Sequence, residues 1–230
     1  MQHPATKGGN SASVTILMGV HNGAAYLPDQ LQSIAAQTHT NWLLKCSDDG
    51  STDDSRDILA LFGDKHDGKV CTSTGPQDGF SANFMSLIRL LPEKTGHISF
   101  ADQDDIWQTD KLVRGMDALA QSGEVPTLYC GKSWYWYPKT GRKHPSKSIN
   151  RPPSFRNALI ENVASGNTIL LNPAAARLAR NGAQRTGTVF AHDWWLYLLI
   201  TGAGGKVIFD TGDPSLLYRQ RKSLRLHLGL

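Results

Sequence analysis

The chain has 230 residues, 40% of them hydrophobic, which is enough to bury one sizeable core and favours a single domain. Its 24 Lys and Arg against 20 Asp and Glu give a net charge of +4, and because no nucleic-acid motif accompanies this mild excess, we expect no nucleic-acid partner. The longest apolar run, 194–200, is too short to span a bilayer, and three widely spaced cysteines form neither a disulfide framework nor a metal pattern.

Hydrophobic patterning predicts alternating strands and helices in the first half of the chain. Short apolar runs that end in Gly, Asn or Asp are typical of buried strands, and apolar residues that recur every three or four positions indicate helices. This alternation predicts an α/β fold with a mostly parallel, doubly wound sheet and helices on both faces. The predicted elements are strand 14–20, a helix over 27–35, strand 42–46, helix 53–62, strand 69–73, helix 80–91 and a strand that ends at Asp102.

The second half is less regular, and the change of pattern near residue 120 divides one domain into two halves. A basic loop punctuated by prolines is predicted over 138–153. The predicted elements are a helix that begins near Thr109, strand 127–137, helix 154–162, strand 167–171, helices 173–181 and 193–201, and strand 206–209.

The stretch 98–107 is the most informative in the chain, because an apolar run ends there in three carboxylates, those of Asp102, Asp104 and Asp105. Burying such charges without partners is costly. At the carboxyl end of a strand in an open α/β sheet, the cluster is suited to hold a divalent cation and, through it, a diphosphate. The alternative is a solvated acidic turn that caps the following helix.

Two further carboxylate positions are candidates for chemistry. Asp48 or Asp49, at the end of the second strand, is placed to accept a hydrogen bond from a nucleotide base or a ribose; the alternative is a turn residue that caps the next helix. Asp193 opens a helix and is followed by two tryptophans, whose apolar bulk would partly desolvate a general base. The alternative there is a carboxylate that only complements the helix dipole.

Seven segments in this order resemble family 2 glycosyltransferases of GT-A fold. The resemblance is close to the rhamnosyltransferase-like branch of bacterial surface-polysaccharide and lipopolysaccharide synthesis, and it covers residues 13–220. The segments are 14–23, 33–38, 47–53, 79–84, 102–107, 192–195 and 217–220.

The resemblance implies an inverting transferase that uses Mn²⁺ or Mg²⁺. It implies transfer of a sugar, with rhamnose suggested by the branch, from a UDP- or dTDP-sugar to a hydroxyl of a glycan or a lipid-linked saccharide. Residues 13–120 would form the nucleotide-sugar-binding half and residues 121–220 the acceptor-binding half. Two alternatives stay open: a non-catalytic or truncated relative that only binds nucleotide or glycan, and a sugar-nucleotide pyrophosphorylase, which the absence of a glycine-rich loop after the first strand disfavours.

The resemblance also implies roles for individual residues. Asp193 corresponds to the catalytic base. Segment 102–104 matches the family's DXD motif, with Asp104 as the direct metal ligand and Asp102 as a second ligand nearer the ribose. The implied nucleotide-sugar-binding residues are His21, Asn22, Asp48, Asp49, Asn83, Asp102, Gln103 and Arg219. The implied acceptor-side residues are Gly166, Asn167, His192 and Trp194.

The chain departs from the family pattern after residue 220, so we assign 221–230 to a divergent C-terminal tail. The resemblance begins at residue 13, and we assign 1–12 to a flexible N-terminal tail. The polar start lacks the apolar core of a signal peptide, which favours a cytoplasmic protein. The excess of positive over negative charge lies mainly in 132–156 and 219–225. Anionic lipid head groups or a phosphorylated acceptor account for this charge better than nucleic acid does, and a peripheral contact at the inner face of the cell membrane follows from the first option.

Overall fold

The computed structural model describes residues 12–220, so the predicted tail 221–230 and nearly all of the predicted tail 1–12 lie outside the described residues. The first half alternates strands and helices as predicted. Its elements are β1 (Val14–Val20), α1 (Leu27–Ala35), β2 (Trp42–Asp48), α2 (Ser55–Lys65), β3 (Val70–Thr74), α3 (Gly79–Arg89), β4 (His97–Asp102), β5 (Ile106–Trp107) and α4 (Lys111–Leu119).

The second half contains shorter elements. A 3₁₀ turn, Gly166–Thr168, and the two-residue β9 occupy most of the stretch predicted as strand 167–171. The elements are β6 (Thr127–Gly131), β7 (Trp134–Tyr137), β8 (Arg142–Pro145), α5 (Phe155–Ala158), β9 (Leu170–Leu171), α6 (Pro173–Ala183), α7 (His192–Gly202), β10 (Lys206–Asp210) and β11 (Leu216–Arg219).

A seven-stranded sheet of order β10-β6-β9-β4-β1-β2-β3 forms the centre of the domain. Its pairs are parallel except for those of β9, which runs antiparallel to both neighbours, so the predicted mostly parallel sheet is confirmed. In register, Val20 of β1 faces Asp48 of β2, and Gly19 faces Asp102 of β4. The polar ends of these three strands therefore meet at one edge of the sheet.

Apolar side chains pack on both faces of this sheet. Because successive residues of a strand point to opposite faces, Leu17 joins the core formed with α3, α6 and α7, whereas Ile16 and Met18 join the core formed with α1, α2 and α4. Helices on both faces are therefore confirmed. No helix within residues 12–220 has the length and apolar composition that crossing a membrane requires.

A second sheet of order β5-β11-β7-β8 lies beside the first. The prediction of one strand over 127–137 is wrong at Lys132 and Ser133, where the chain leaves the large sheet and enters the small one. The Lys132 carbonyl accepts a hydrogen bond from the Ser215 amide, and the Ser133 amide donates to the Ser146 hydroxyl, which satisfies the backbone at the crossing. The small sheet was not predicted.

Candidate active site

The carboxyl ends of β1, β2 and β4 surround a cleft of about 490 Å³, which we call the strand-end cleft. Ligands of open α/β sheets usually bind at this edge. The cleft brings together most of the predicted nucleotide-sugar and metal residues. Its lining residues are Gly19, Val20, His21, Asp49, Gln77, Gly79, Phe80, Asn83, Phe84, Asp102, Gln103 and Asp104.

The ends of β1 and β4 are joined by the side chain of Gln103. Its Oε1 accepts from the His21 amide, and its Nε2 donates to the His21 carbonyl, both at 2.9 Å. A Cβ at Gly23 would lie 2.2 Å from Gln103 Oε1, so this approach requires a glycine there. Gln103 thus lines the cleft and also fixes the backbone of its neighbour.

The imidazole of His21 is oriented by contacts on both nitrogens. Nδ1 lies 3.0 Å from the Asp49 carbonyl oxygen, and Nε2 lies 3.2 Å from Asn22 Nδ2. A carbonyl only accepts and an amide nitrogen only donates, so the neutral ring carries its proton on Nδ1. The ring is exposed, and its placement at the cleft mouth leaves it available to a ligand.

The structure separates the roles of Asp48 and Asp49. Asp48 is still part of β2; it is buried, accepts from the Ser51 amide and forms an ion pair with Arg56. Burial alone would raise its pKa, but the hydrogen bonds from Ser51 and Arg56 outweigh burial and hold the pKa below its usual value. Asp48 therefore acts within the fold, and Asp49 is the one of the two that lines the cleft.

Asp49 also fixes the loop in front of α3. Its Oδ1 accepts from the Gln77 amide at 2.6 Å, and its Oδ2 accepts from the Gly79 amide at 3.2 Å. Each carboxylate oxygen has two lone pairs, so one acceptor position on each remains for a ligand.

Asn22 and Asn83 occupy different positions relative to the cleft. Asn22 is left-handed (φ 47°) and links the loops after β1 and β2, because its amide donates to Ser51 and its Oδ1 accepts from the Thr52 amide. It does not line the cleft. Asn83 does; its Nδ2 donates to the Ser47 carbonyl, and its buried Oδ1 has no donor among the described residues.

The acidic turn after β4 presents two carboxylates to the cleft and buries the third. Asp102 and Asp104 are half-buried and line the cleft, whereas Asp105 is fully buried, and its Oδ2 accepts from Asn167 Nδ2 at 2.7 Å. Burial, and then the charges of Asp102 and Asp104, raise the pKa of Asp105 well above its usual range. Neighbouring Lys111 is also buried. Burial lowers its pKa to about 7, although the negative charge of Asp105 acts in the opposite direction.

Asp102 and Asp104 are suited to bind a hard divalent cation whose remaining ligands come from the substrate and from water. No group of three or more His, Cys, Asp or Glu side chains in residues 12–220 is arranged to enclose a metal. Mg²⁺ and similar ions commonly bind through one or two carboxylates together with substrate phosphates and waters. Two carboxylates at the edge of a cleft of this size match that donor set.

Arg219 and Tyr218 point to opposite sides of β11, as neighbours in a strand must. Arg219 lies away from both clefts: it donates to the Asp104 carbonyl at 3.0 Å and to Asp29 at 2.9 Å, and its guanidinium stacks on Trp136. It holds the backbone of the proposed metal ligand. Burial, and then the charges of the acidic turn after β4, raise the pKa of Tyr218.

A second cleft of about 790 Å³, the outer cleft, contains Asp193 and Tyr218. Basic and hydroxyl side chains from the segment that follows β8 form much of its wall. Its lining residues are Gly131, Ser133, Tyr135, Ser146, Lys147, Ser148, Ile149, Asn150, Arg151, Asn157, Glu161, Asn162, Val163, Ser165, Asp193, Phe209 and Tyr218.

Asp193 lies in the first turn of α7 and is half-buried. Its Oδ2 accepts from the Gly166 amide at 3.0 Å, and its Oδ1 accepts from the Trp194 amide at 2.7 Å. These bonds aim the carboxylate and leave lone pairs that face the outer cleft. A carboxylate held this way is equipped to accept a proton from a bound hydroxyl.

The other predicted acceptor-side residues surround Asp193 without lining the outer cleft. His192 is buried and stacks on Phe84 with ring centroids 4.0 Å apart; burial lowers its pKa to about 4, so the ring is neutral at pH 7. Trp194 donates its indole N–H to the Ala158 carbonyl at 2.7 Å. A Cβ at Gly166 would come within 2.9 Å of His192 Nε2, so this turn requires glycine.

A short chain of hydrogen bonds connects the two clefts. Asp105, next to Asp104, binds Asn167, and the amide of the adjoining Gly166 binds Asp193. Sequence reasoning gave no role to Tyr218, and it placed Asp105 in the cation-binding cluster, whereas the structure buries Asp105 against Asn167. The alternation of side chains along β11 was a signal for Tyr218, whereas the partner of Asp105, 62 positions away, left no local signal.

We expect Asn167→Ala to lower the free energy of unfolding by about 1–3 kcal/mol, because it removes the donor to a buried carboxyl group whose other oxygen already has no partner in the described structure. Urea unfolding at pH 7 measures the change. The matched control is Asn181→Ala, at an exposed position of α6, which should shift stability by less than about 0.5 kcal/mol. Equal stability of the two variants would contradict a structural role for this bond.

The family model described as glycosyl transferase family 2 matches residues 15–180. Among curated proteins, the dTDP-rhamnosyl transferase RfbG of Shigella flexneri is 27% identical over 213 residues, which are 90% of this chain and 72% of that protein.

Two solved structures share the fold. The structure of S. aureus TarS 1-349 in complex with UDP-GlcNAc has a TM-score of 0.71 at 15% identity, and the match covers 91% of this chain and 59% of that chain. The mannosyltransferase PcManGT from Pyrobaculum calidifontis, in complex with GDP-Man and Mn²⁺, has a TM-score of 0.63 at 17% identity, with 93% and 58% covered. The chain thus spans less than two thirds of either structure, and the GT-A fold expected from the sequence is confirmed.

Proposed function

This chain belongs to glycosyl transferase family 2, and from that premise we propose that it is an inverting, metal-dependent glycosyltransferase. The proposed donor is a UDP- or dTDP-sugar, and the proposed acceptor is a hydroxyl of a glycan or a lipid-linked saccharide. One observation carries the proposal. The strand-end cleft presents the half-buried carboxylates of Asp102 and Asp104, and the outer cleft contains Asp193. Hydrogen bonds between Asp105 and Asn167 and between Gly166 and Asp193 connect the two clefts.

The strand-end cleft supplies the donor site. Asp49 and His21 would meet the base, and Asn83 Oδ1 is an acceptor for a ribose hydroxyl. Asp102 and Asp104 would hold Mn²⁺ or Mg²⁺, which when bound neutralises charge on the departing diphosphate. Arg219 keeps the Asp104 backbone in place from behind.

The outer cleft supplies the acceptor site and the base. The acceptor oxygen attacks the anomeric carbon as Asp193 takes the hydroxyl proton, and the bond from that carbon to the diphosphate oxygen breaks on the opposite face. A single displacement of this kind inverts the anomeric centre. The nucleoside diphosphate leaves with the electron pair of the broken bond, and the proton passes from Asp193 to solvent.

The relatives support a pyrimidine donor and rhamnose as the proposed sugar. The relative that aligns with 90% of this chain is named for dTDP-rhamnose transfer, and the TarS complex contains UDP-GlcNAc. PcManGT was solved with GDP-Man and Mn²⁺, which supports the metal and shows that the fold also accepts a purine nucleotide. The base preference of this chain is therefore a separate question for experiment.

We expect UDP or dTDP to bind at least about tenfold more tightly than GDP or ADP in the presence of Mn²⁺, a difference of about 1.4 kcal/mol. We attribute this preference to an Asp49 oxygen that accepts the imide N–H of uracil or thymine, because two-ring purines hold their N–H donors farther from the ribose and would miss this contact. Competition calorimetry with the four nucleotides measures it. Equal affinities would remove Asp49 from base recognition.

A thermal-shift screen of UDP-, dTDP- and GDP-sugars with and without Mn²⁺ tests the proposed function, because a ligand that binds only the folded state raises its apparent stability. A stabilising donor is then incubated with candidate acceptors, and product is followed by mass spectrometry. Binding with no transfer or hydrolysis would favour a non-catalytic relative. Formation of nucleoside triphosphate from pyrophosphate would favour a pyrophosphorylase.

A further inference from the structure

Three large apolar side chains are exposed together on the turn that contains and follows α5. Phe155 is 45% exposed, Leu159 61% and Ile160 82%. The Leu159 amide donates to the Phe155 carbonyl, so these two side chains lie one turn apart on the same side, with Ile160 beside them. We call these three residues the apolar patch. Single exposed apolar residues are common, whereas adjacent ones mark contact surfaces.

The turn that carries the apolar patch is held firmly by buried partners. Ser154 caps it by accepting from the Asn157 amide, and the Tyr197 hydroxyl lies 2.9 Å from Asn157 Oδ1. The Trp194 indole binds the carbonyl of Ala158, which is itself fully buried. The backbone of the turn could not rotate the three apolar side chains inward without breaking these hydrogen bonds. The turn therefore holds the apolar patch in contact with solvent.

The surroundings of the apolar patch are strongly basic. Residues 131–160 contain seven Lys and Arg and no Asp or Glu. Arg156 is exposed within the turn itself, and Lys147 and Arg151 are exposed where they line the outer cleft. Glu161 is the first acidic residue that follows. Apolar side chains framed by cations match a lipid surface with anionic head groups, which takes up both kinds of contact at once.

We propose that the apolar patch and its basic frame dock on a membrane that contains anionic phospholipid. A protein partner fits this surface less well, because the fully buried cores of protein interfaces are depleted of charged residues. The same turn contributes Asn157 and Glu161 to the outer cleft, so docking would bring the cleft mouth to the lipid surface. The idea that docking lets the outer cleft take an acceptor from the bilayer rests on the proposed function. The proposal that the patch docks on a membrane does not rest on it.

Co-sedimentation of the full chain with vesicles tests the proposal. The vesicles are phosphatidylcholine alone or phosphatidylcholine mixed with phosphatidylglycerol. We expect binding only to the mixed vesicles, weakened by added salt. Leu159→Ser/Ile160→Ser should reduce the partition coefficient at least about tenfold by removing apolar burial. The matched control is Leu61→Ser/Leu90→Ser, which changes side chains that are 61% and 69% exposed in α2 and after α3, and it should bind as the parent does.

Three outcomes would overturn the proposal: no binding to the mixed vesicles, equal loss in both double variants, or equal binding by Leu159→Ser/Ile160→Ser and the parent. A concentration-dependent dimer in light scattering that only Leu159→Ser/Ile160→Ser abolishes would instead assign the patch to a second copy of the chain. Donor-induced thermal shifts and turnover on a soluble acceptor, measured for the same proteins, report separately on the proposed function. They should be unchanged, since neither Leu159 nor Ile160 lines a cleft.

Discussion

Replacing Asp104 with Asn is expected to weaken binding of UDP or dTDP in Mn²⁺ at least about tenfold, on the order of 1.4 kcal/mol. The variant keeps the size of the side chain and removes its negative charge, so a divalent cation loses one of the two carboxylates that line the strand-end cleft. The backbone at this position should stay in place, because Arg219 donates to the residue 104 carbonyl whichever side chain is present. Isothermal titration calorimetry measures the affinity.

Two comparisons separate a metal ligand from a general charge effect at Asp104. Asp117→Asn, at an exposed position of α4, makes the same change in net charge and should bind nucleotide as the parent does. With metal removed by a chelator, Asp104→Asn should bind nucleotide no more weakly than the parent, since the variant's disadvantage acts only through the ion. Equal affinity in Mn²⁺ would remove Asp104 from the site.

The larger sheet was predictable because its strands have a local signal. β1 and β4 are apolar runs that end in polar residues, and the helices between them repeat apolar residues at intervals of three and four. The small sheet has no such signal. All four residues of β8 are exposed, and β5 has only two residues, so neither alternation nor length distinguishes these strands from loops.

The candidate site was predictable to the level of strand ends and not to the level of individual side chains. The choice between Asp48 and Asp49 depends on where β2 stops: Asp48 remains in the strand and pairs with Arg56, and Asp49 turns into the cleft. The same holds on β11, where the sequence motif includes both Tyr218 and Arg219, and only strand geometry decides that Tyr218 lines the outer cleft while Arg219 binds the Asp104 carbonyl. A shift of one residue in the register of a strand would move each of its side chains to the opposite face of the sheet.

The long-range contacts of the site could not be predicted from the sequence. Asp105 and Asn167 meet in the interior between the two halves of the chain, and their bond places the acidic turn against the 3₁₀ turn that carries Gly166. Gly166 in turn orients Asp193. The distance between donor and base in the proposed reaction is thus set by these two hydrogen bonds. Nothing in the local sequence around Asp105, Gly166 or Asn167 indicates that they belong to one network.

Replacing Asp193 with Asn should lower turnover at least about 10²-fold while donor affinity is kept, because the variant retains the shape of the side chain and removes the proton acceptor. Donor affinity should survive since Asp193 lines the outer cleft and not the strand-end cleft. The two backbone amides of Gly166 and Trp194 now bind different oxygens of the carboxylate, and Asn offers one oxygen, so we also expect a modest fall in stability. Turnover, nucleotide affinity and melting temperature are measured on the same protein.

That fall in stability has to be separated from the loss of the base, and Asp57→Asn provides the reference. Asp57 is an exposed acidic residue in the first turn of α2, so its replacement reports the loss of helix N-terminal charge alone, about 0.3–1 kcal/mol. If Asp193 only complemented the dipole of α7, its variant would lose activity no further than its folded fraction falls, as Asp57→Asn does. A base predicts instead that Asp193→Asn stays inactive at temperatures where it is fully folded and binds donor normally. Near-normal turnover in that folded protein would exclude Asp193 as the base.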